Sequence, residues 1–338
     1  MFGVDKTHSI GLYLAKLFTK HYLVSCHKTC TTSNAVAEYD SAPIAFYMKK
    51  LQEAHKEFIE HLKGRKRASA TILAYGKDIE QLIGFLQELQ KAHVHEVTAD
   101  DIKSFLAKMQ NSGYTLKSIS RKLNSTKTFF RYLKVQEYIT DDPASLVDHP
   151  KFEAKPPRIL TPIEYRALRD AARDDTRIAA IIEVLLQTGI RIGELANLRT
   201  DDVFMGENGR EGHLYIRPLE NRGERTIPLN KAAETALKRY LEIRTKTPNK
   251  TLFVTKTGKP LLVRNIRTAI DRYYKRAGIT GAKVNDLRHT WVAHHLSSGA
   301  SLVLISKVAG HKRLSTTERY LSLIQTPKGE EKVKLEQL

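Results

Sequence analysis

Three separated stretches of the sequence combine arginine, histidine and tyrosine in a pattern that suits chemistry at a phosphodiester. They are residues 188–195, 286–290 and 309–320. Breaking a phosphodiester while keeping the energy of its bond requires a covalent intermediate, and a tyrosine phenolate is a suitable nucleophile. The transition state carries additional negative charge on the phosphate oxygens. Arginine guanidiniums, which are permanently charged and can each bond two oxygens, are suited to stabilise it.

The charge of the whole chain favours a polyanionic partner. Its 338 residues include 56 Lys and Arg against 37 Asp and Glu, a formal net charge of +19, and residues 156–338 hold 33 of the basic and 20 of the acidic side chains. Such an excess is typical of proteins that bind nucleic acid or an anionic membrane surface, with solubility alone as the other reading. The polyanion is therefore expected to meet the C-terminal half most closely.

Membrane insertion and secretion are not predicted. No uninterrupted apolar stretch approaches the roughly 18–20 residues that a membrane span needs. The apolar segment 10–26 is interrupted by Lys16, Lys20 and His21 and lacks a cleavage pattern. The two cysteines, Cys26 and Cys30, form no disulfide framework, which indicates a reducing, cytoplasmic compartment.

The sequence offers no cofactor site. The cysteines with His21 and His27 nearby are a weak metal signal, and no phosphate-cradling glycine motif or paired-carboxylate site is present. The predicted chemistry therefore needs neither a metal nor a nucleotide.

Residues 45–147 predict an all-helical module, because apolar residues recur there at three- and four-residue spacings and Thr98 is a candidate N-cap. Residues 1–44 show little periodicity and are expected to be a flexible extension without an assigned role. Basic residues of the module predict contacts with the DNA backbone, the alternative being a solvated face. These residues are Arg65, Lys66, Arg67, Lys117, Arg121, Lys122 and Lys127.

Three prolines make residues 148–160 a predicted interdomain linker. The 161–164 stretch is a capping box with proline at the first helical position, which starts a second, mainly helical domain over residues 161–325. Two short strand-like runs, at 214–216 and 225–229, predict a β-hairpin with its turn around 221–223. Residues 326–338 form a tail with apolar residues on one possible helix face.

In order and spacing, the three stretches resemble those of the tyrosine recombinase (phage integrase) family, most closely its Xer-type members. The resemblance covers roughly residues 50–325. It implies a mainly α fold, with an N-terminal all-helical core-binding (SAM-like) domain and a mixed, mostly helical catalytic domain that contains a small antiparallel sheet.

The resemblance also implies the chemistry and the partners. Tyr320 would attack DNA to form a 3′-phosphotyrosine, while Arg191, Arg288 and His311 bind the phosphate. Four protomers would assemble on two specific double-stranded sites and pass through a Holliday junction, with tail 326–338 packing into a neighbouring protomer. An accessory DNA-bending protein is a further candidate partner. Integration of a mobile element, dimer resolution and cassette shuffling all remain open as roles.

Other residues near these motifs have structural explanations. A capping box at 315–318 is expected to start the helix that carries Tyr320. Glu194 is expected to support Arg191 or its helix, His289 to be a hydrogen-bonded core imidazole, and Trp291 to lie in the core.

Two positions depart from the family pattern. Asn285 stands where the family usually has His or Lys, and no lysine occurs between Arg199 and Lys231, where the family has a hairpin lysine as general acid. Arg222 at the hairpin tip, flanked by Arg217 and Arg225, is the nearest replacement, although a guanidinium is a poor proton donor. These departures make a DNA-binding accessory protein with impaired catalysis an alternative. A type IB topoisomerase-like enzyme is a second alternative, because it shares the phosphotyrosine chemistry. An RNA-binding protein would leave the motif residues unexplained.

Overall fold

The computed structural model describes residues 49–153, 155–207, 210–219 and 222–324. The predicted extension 1–44, both cysteines and the predicted tail 326–338 lie outside the described residues. Within the described residues, no helix is long and apolar enough to cross a membrane.

The first part of the described chain is all-helical, as the sequence predicts. Its helices are α1 (Leu51–Gly64), α2 (Ser69–Glu88), α3 (Ala99–Asn111) and α4 (Leu116–Val135), with 3₁₀ turns at Val94–Glu96 and Pro143–Leu146. One apolar face of each helix enters a common hydrophobic cluster. Thr98 caps α3 as expected, because its hydroxyl accepts from the backbone N–H of Asp101 and the Asp101 carboxylate accepts from the backbone N–H of Thr98.

The second part is mainly helical with one small sheet. Its helices are α5 (Pro162–Ala171), α6 (Thr176–Thr188), α7 (Ile192–Asn197), α8 (Lys231–Ile243), α9 (Val263–Arg276), α10 (Val284–Ser297), α11 (Leu302–Ala309) and α12 (Ser315–Glu318). The predicted hairpin is confirmed: β2 (His213–Ile216) pairs antiparallel with β3 (Arg225–Pro228). A short strand that the sequence did not predict, β1 (Val203–Phe204), pairs with the other side of β2.

Local sequence signals explain where the elements around the motifs begin and end. The capping box at Thr161 and Glu164 forms as predicted and starts α5. Helix α6 is buried along most of its length and ends at Gly189, which has a left-handed φ of 60°. A Cβ at Gly189 would lie 2.4 Å from the ring of Trp291. This close approach packs α10 against the end of α6, and Trp291 is buried as expected.

One of the seven basic residues predicted to contact DNA is buried, and that prediction is corrected. The ammonium of Lys122 lies 3.0 Å from the Asp78 carboxylate, and only 3% of the Lys122 side chain is exposed. Its charge therefore stabilises a carboxylate inside the helical module and does not reach a phosphate. The other six are at least partly exposed: Arg65, Lys66, Arg67, Lys117, Arg121 and Lys127.

We expect Asp78→Ala to destabilise the helical module. The substitution leaves the Lys122 ammonium buried without its carboxylate, and breaking a buried ion pair in this way costs about 3–5 kcal/mol. Amide hydrogen exchange in α2 and α4 measures the effect as faster local opening. The double variant Asp78→Leu/Lys122→Met, which removes both charges, should recover most of the protection. Equal exchange in wild type and Asp78→Ala would contradict the prediction.

Candidate active site

Two of the predicted motif arginines meet at the turn that follows α11. The Arg191 guanidinium donates to the carbonyls of Ala309, at 3.1 Å, and Gly310, at 2.6 Å. Arg288 donates from Nη2 to the same Ala309 carbonyl, also at 2.6 Å. Residues about 100 positions apart in the chain are thereby brought to one backbone turn, directly before His311.

Arg288 lies on α10 with only 7% of its surface exposed. Its Nη1 donates to the carbonyl of Gly189, so the end of α6 and the end of α11 are both joined to this side chain. Burial and the nearby charge of Arg191 lower the pKa of Arg288, but the guanidinium remains cationic at neutral pH. A buried, positively charged group at this position favours an incoming phosphate.

Glu194 forms ion pairs with both Arg191 and Arg225. Its carboxylate accepts from the backbone N–H and the guanidinium of Arg191, which confirms the predicted supporting role. It also accepts two hydrogen bonds from Arg225 on β3, at 2.7 and 3.1 Å. Burial acts to raise the pKa of Glu194, but the hydrogen bonds from Arg225 and Arg191 outweigh it and lower the pKa to about 2. The carboxylate therefore stays ionised.

Arg225 belongs to this cluster although the sequence marked it only as a neighbour of Arg222. Its Nε donates to the carbonyl of Val308 at 2.7 Å. A Cβ on Gly310, whose φ is 66°, would lie 2.9 Å from the Arg225 guanidinium. The tight turn at Gly310 thus allows Arg191, Arg225 and Arg288 to surround the last carbonyls of α11. We call these three residues the arginine cluster.

His311 follows this turn and is held by Thr317 of α12. The two side chains are 2.7 Å apart, between Nδ1 and Oγ1, and Thr317 is completely buried. Burial, reinforced by the charges of Arg288 and Arg191, lowers the pKa of His311 to about 4. The imidazole is therefore neutral at physiological pH. Because Nδ1 is bonded to Thr317, Nε2 is the ring nitrogen left for another hydrogen-bond partner.

The predicted capping box at 315–318 does not form. Leu314, not Ser315, is the N-cap of α12, and it makes no side-chain cap hydrogen bond. Thr317 is instead used to hold His311. Helix α12 ends at Glu318, so Tyr320 lies in the turn after the helix and not within it. The expectation of a capped helix that carries Tyr320 is wrong, because tertiary contacts determine the conformation of this short segment.

Tyr320 is buried, with 4% of its surface exposed. Its ring packs in a hydrophobic cluster with Trp291 and Ile305. It lies nearly parallel to the ring of His311, with centroids 6.5 Å apart. Burial raises the pKa of the Tyr320 phenol, and the charges of Arg288, Arg319 and Arg191 oppose that rise. The phenol is therefore protonated at neutral pH.

The hydroxyl of Tyr320 lies 2.5 Å from Nδ1 of His289. His289 is half-buried and was expected to be a core imidazole. It is hydrogen-bonded as expected, but its partner is the motif tyrosine. The sequence carried one signal for this contact, the position of His289 directly after Arg288.

Family models and known relatives match this sequence. Residues 158–325 match the model of the phage integrase family, and residues 56–137 match that of the phage integrase N-terminal SAM-like domain. Tyrosine recombinase XerC of Roseiflexus castenholzii is 30% identical over 81% of this chain and 90% of its own. XerC of Oceanobacillus iheyensis is 32% identical over 78% and 89%. The chain belongs to the tyrosine recombinase family.

Solved structures of more distant recombinases share the fold. A lambda integrase dimer bound to a COC′ core site has a TM-score of 0.68 at 18% identity, covering 99% of this chain and 91% of that one. The Tn1549 transposon integrase in complex with a circular intermediate DNA has a TM-score of 0.66 at 21% identity, covering 81% and 95%. The expected fold class, two mainly helical parts and a small antiparallel sheet, is therefore confirmed.

The two positions that depart from the family pattern in this recombinase are both exposed. Asn285 lies in the first turn of α10, three residues before Arg288 and hence on a neighbouring part of the same helix face. Arg222 lies near the end of the hairpin. Burial is the main influence that lowers the pKa of Arg191, and the charge of Arg222 also lowers it. Arg217 instead pairs with Asp202, at 2.8 Å.

In the described part of the chain, no group of three or more His, Cys, Asp or Glu side chains is arranged to hold a metal ion. The positive charge at the turn after α11 comes from the arginine cluster.

The depressed pKa of His311 predicts that the recombinase loses stability in acid. The unfolded chain binds this proton near pH 6.5, whereas the folded chain binds it only near pH 4. The unfolded state therefore holds more protons between these values, and the free energy of unfolding falls as the pH is lowered from about 6.5 to 4. A histidine NMR titration should place the His311 midpoint near 4. His311→Asn should lessen the loss of stability. A midpoint near the ordinary value would contradict the prediction.

Proposed function

We propose that this protein is a site-specific DNA recombinase that cleaves and rejoins DNA through a 3′-phosphotyrosine intermediate. One observation carries the proposal: Arg191 and Arg288 converge on the Ala309 carbonyl, beside His311 and Tyr320. Membership of the tyrosine recombinase family supports it.

The scissile phosphate binds against the arginine cluster. Among the described residues, Arg191 gives three of its five N–H groups to protein acceptors and Arg288 gives two, so each guanidinium retains donors for phosphate oxygens. The bonds to carbonyls hold both groups in place before DNA arrives. Such preorganised donors stabilise the charge that develops in the transition state without reorganisation. His311 adds a hydrogen bond from Nε2.

Tyr320 attacks the phosphorus and displaces the 5′ oxygen of the next nucleotide. Arg222 is the proposed hairpin group for this leaving oxygen, and Asn285 donates a hydrogen bond to the phosphate. Arg222 stabilises the negative charge of the oxygen but gives up a proton poorly. Because general-acid catalysis typically contributes about 10²–10⁴ in rate, cleavage is expected to be slow for an enzyme of this type.

The proposed assembly is four protomers on two specific double-stranded sites, with a Holliday junction between two rounds of strand exchange. A lambda integrase tetramer bound to a Holliday junction shares the fold, with a TM-score of 0.68 at 19% identity. In this proposal, residues 45–147 form the core-binding domain, 148–160 the linker and 161–325 the catalytic domain. Tail 326–338 packs into a neighbouring protomer. The exposed basic residues of the first domain contact the DNA backbone, and an accessory protein bends the DNA.

The low cysteine content supports a cytoplasmic location.

Capture of covalent adducts in cells tests the proposal. Cells that express the protein are lysed in denaturant, protein-linked DNA is recovered and its ends are sequenced, with Tyr320→Phe as the control. The proposal predicts discrete, paired half-sites that are absent from the control. Adducts scattered along the genome would favour a topoisomerase-like enzyme. Site-specific binding without any adduct would favour an accessory DNA-binding protein.

A further inference from the structure

His289 touches the atom that becomes the nucleophile. Its Nδ1 lies 2.5 Å from the hydroxyl of Tyr320, and the two rings are inclined at 42° with centroids 5.8 Å apart. The contact joins α10, one residue after Arg288, to the turn after α12. None of the roles given above uses this imidazole.

We propose that His289 accepts the phenolic proton of Tyr320 during DNA cleavage and returns it when the strand is resealed. This inference rests on the proposed function and adds a proton acceptor to it. The 2.5 Å separation is short enough for direct transfer between the hydroxyl and the ring nitrogen, with no intervening water.

The surroundings of His289 keep its ring neutral, so that one ring nitrogen carries a lone pair. Burial lowers the pKa of His289. Asp286 acts in the opposite direction, and the charges of Arg288 and Arg319 act with burial. The phenol of Tyr320 holds its proton, because burial raises its pKa. The proposal requires the tautomer of His289 that carries its proton on Nε2, in which the tyrosine O–H donates to the lone pair on Nδ1.

The other polar groups near the nucleophile are less suited to this task. Nδ1 of His311 is occupied by Thr317, and the His311 ring lies parallel to that of Tyr320, with centroids 6.5 Å apart. Asn285 cannot accept a proton near neutral pH. Arg191 and Arg288 are cations and can only donate. His289 combines contact with the hydroxyl and an available lone pair.

The proton is balanced over the two half-reactions. In cleavage, the bond between Tyr320 Oη and phosphorus forms, the bond between phosphorus and O5′ breaks, and the phenolic proton moves to Nδ1 of His289. The leaving O5′ takes a proton from water beside Arg222. In resealing, a 5′-hydroxyl gives its proton to water and attacks phosphorus. The phenolate leaves and recovers the proton from Nδ1.

The variant His289→Asn separates proton transfer from positioning. The amide oxygen of asparagine can accept the tyrosine hydrogen bond near the position of Nδ1, but it does not take up a proton. The substrate is a synthetic duplex that carries the half-site recovered from cells. We expect single-turnover cleavage at pH 7 to fall by about 10²–10⁴. The deficit should shrink as the pH rises, because a phenolate then forms without His289.

A sulfur substitution distinguishes His289 from Arg222. In a 5′-bridging phosphorothiolate, sulfur replaces O5′, so the leaving group is a thiolate. A thiolate needs less protonation and less charge stabilisation than the alkoxide that leaves from normal DNA. This sulfur substitution should therefore rescue Arg222→Ala but not His289→Asn. The matched control is His295→Asn, a half-buried histidine on the same helix that packs against Trp291. Its cleavage rate should equal that of wild type.

NMR of the DNA-free protein provides a test that needs no DNA site. Imidazole ¹⁵N shifts should show His289 with a proton on Nε2 and none on Nδ1, and Tyr320→Phe should shift the Nδ1 signal. A proton on Nδ1 would overturn the inference, as would wild-type cleavage rates and pH dependence in His289→Asn. The absence of any Tyr320-dependent adduct in wild type would instead refute the proposed function.

Discussion

Replacing Tyr320 by phenylalanine is expected to abolish covalent attachment of DNA and leave DNA binding intact. The substitution removes one oxygen, and that oxygen is the proposed nucleophile. The remaining ring keeps its buried packing against Trp291 and Ile305. The arginine cluster and the basic surface of the first domain are unchanged, so the phosphate contacts that dominate affinity persist. Denaturing gels measure the adduct and gel shifts measure the binding.

A matched control for this loss is Tyr165→Phe on α5. Tyr165 is a partly buried tyrosine that packs against the main hydrophobic cluster and lies close to Arg169. It should form adducts at the wild-type rate. Adducts that persist in Tyr320→Phe at the wild-type level would show that another side chain attacks the DNA.

Replacing Arg288 by lysine is expected to lower the cleavage rate by at least about 10²–10³, the cost of removing one preorganised donor from a transition state. Lysine keeps the positive charge, but one ammonium does not reproduce the planar guanidinium that bonds Gly189 and Ala309 and still has donors for a phosphate. Arg191→Lys should have a similar effect, since Arg191 bonds Ala309 and Gly310 in the same way. Single-turnover cleavage measures both.

Because Arg191 and Arg288 also join elements of the fold, a loss of catalysis in these variants must be distinguished from a loss of folding. Arg217→Lys is the control, since Arg217 forms its ion pair with Asp202 on the sheet side of the domain. Hydrogen exchange of α10 and α11 reports whether each variant remains folded. The double variant Arg191→Lys/Arg288→Lys should lose less than the product of the single effects, because residues that act as a unit are not additive. A cleavage rate that falls by less than tenfold in either folded single variant would contradict the proposed binding of the phosphate by Arg191 and Arg288.

Local sequence signals predicted much of the catalytic scaffold. Gly189 marked the end of α6, the prolines and Thr161 marked the start of α5, and two β-branched runs predicted the hairpin. These features depend on backbone conformation and on apolar periodicity, which neighbouring residues largely determine. The support of Arg191 by Glu194 was also predictable, because the two residues are one helical turn apart.

Contacts between distant segments were not predictable in the same way. Lys122 carries the same charge as Lys117, and only the packing of α2 against α4 places Asp78 beside it. The capping box predicted at Ser315 does not form, and the Thr317 side chain bonds His311. Arg225 and His289 join the site through residues 31 positions away in each case, Glu194 and Tyr320. Spacing along the chain carries little information about such pairs.

Identifying the residue that is linked to DNA tests the central claim most directly. Adducts recovered from denatured cells are treated with nuclease until one nucleotide remains, digested with protease and sequenced by mass spectrometry. The account predicts that the nucleotide is attached through its 3′-phosphate to the peptide containing Tyr320. Attachment to any other residue, or through a 5′-phosphate, would contradict it.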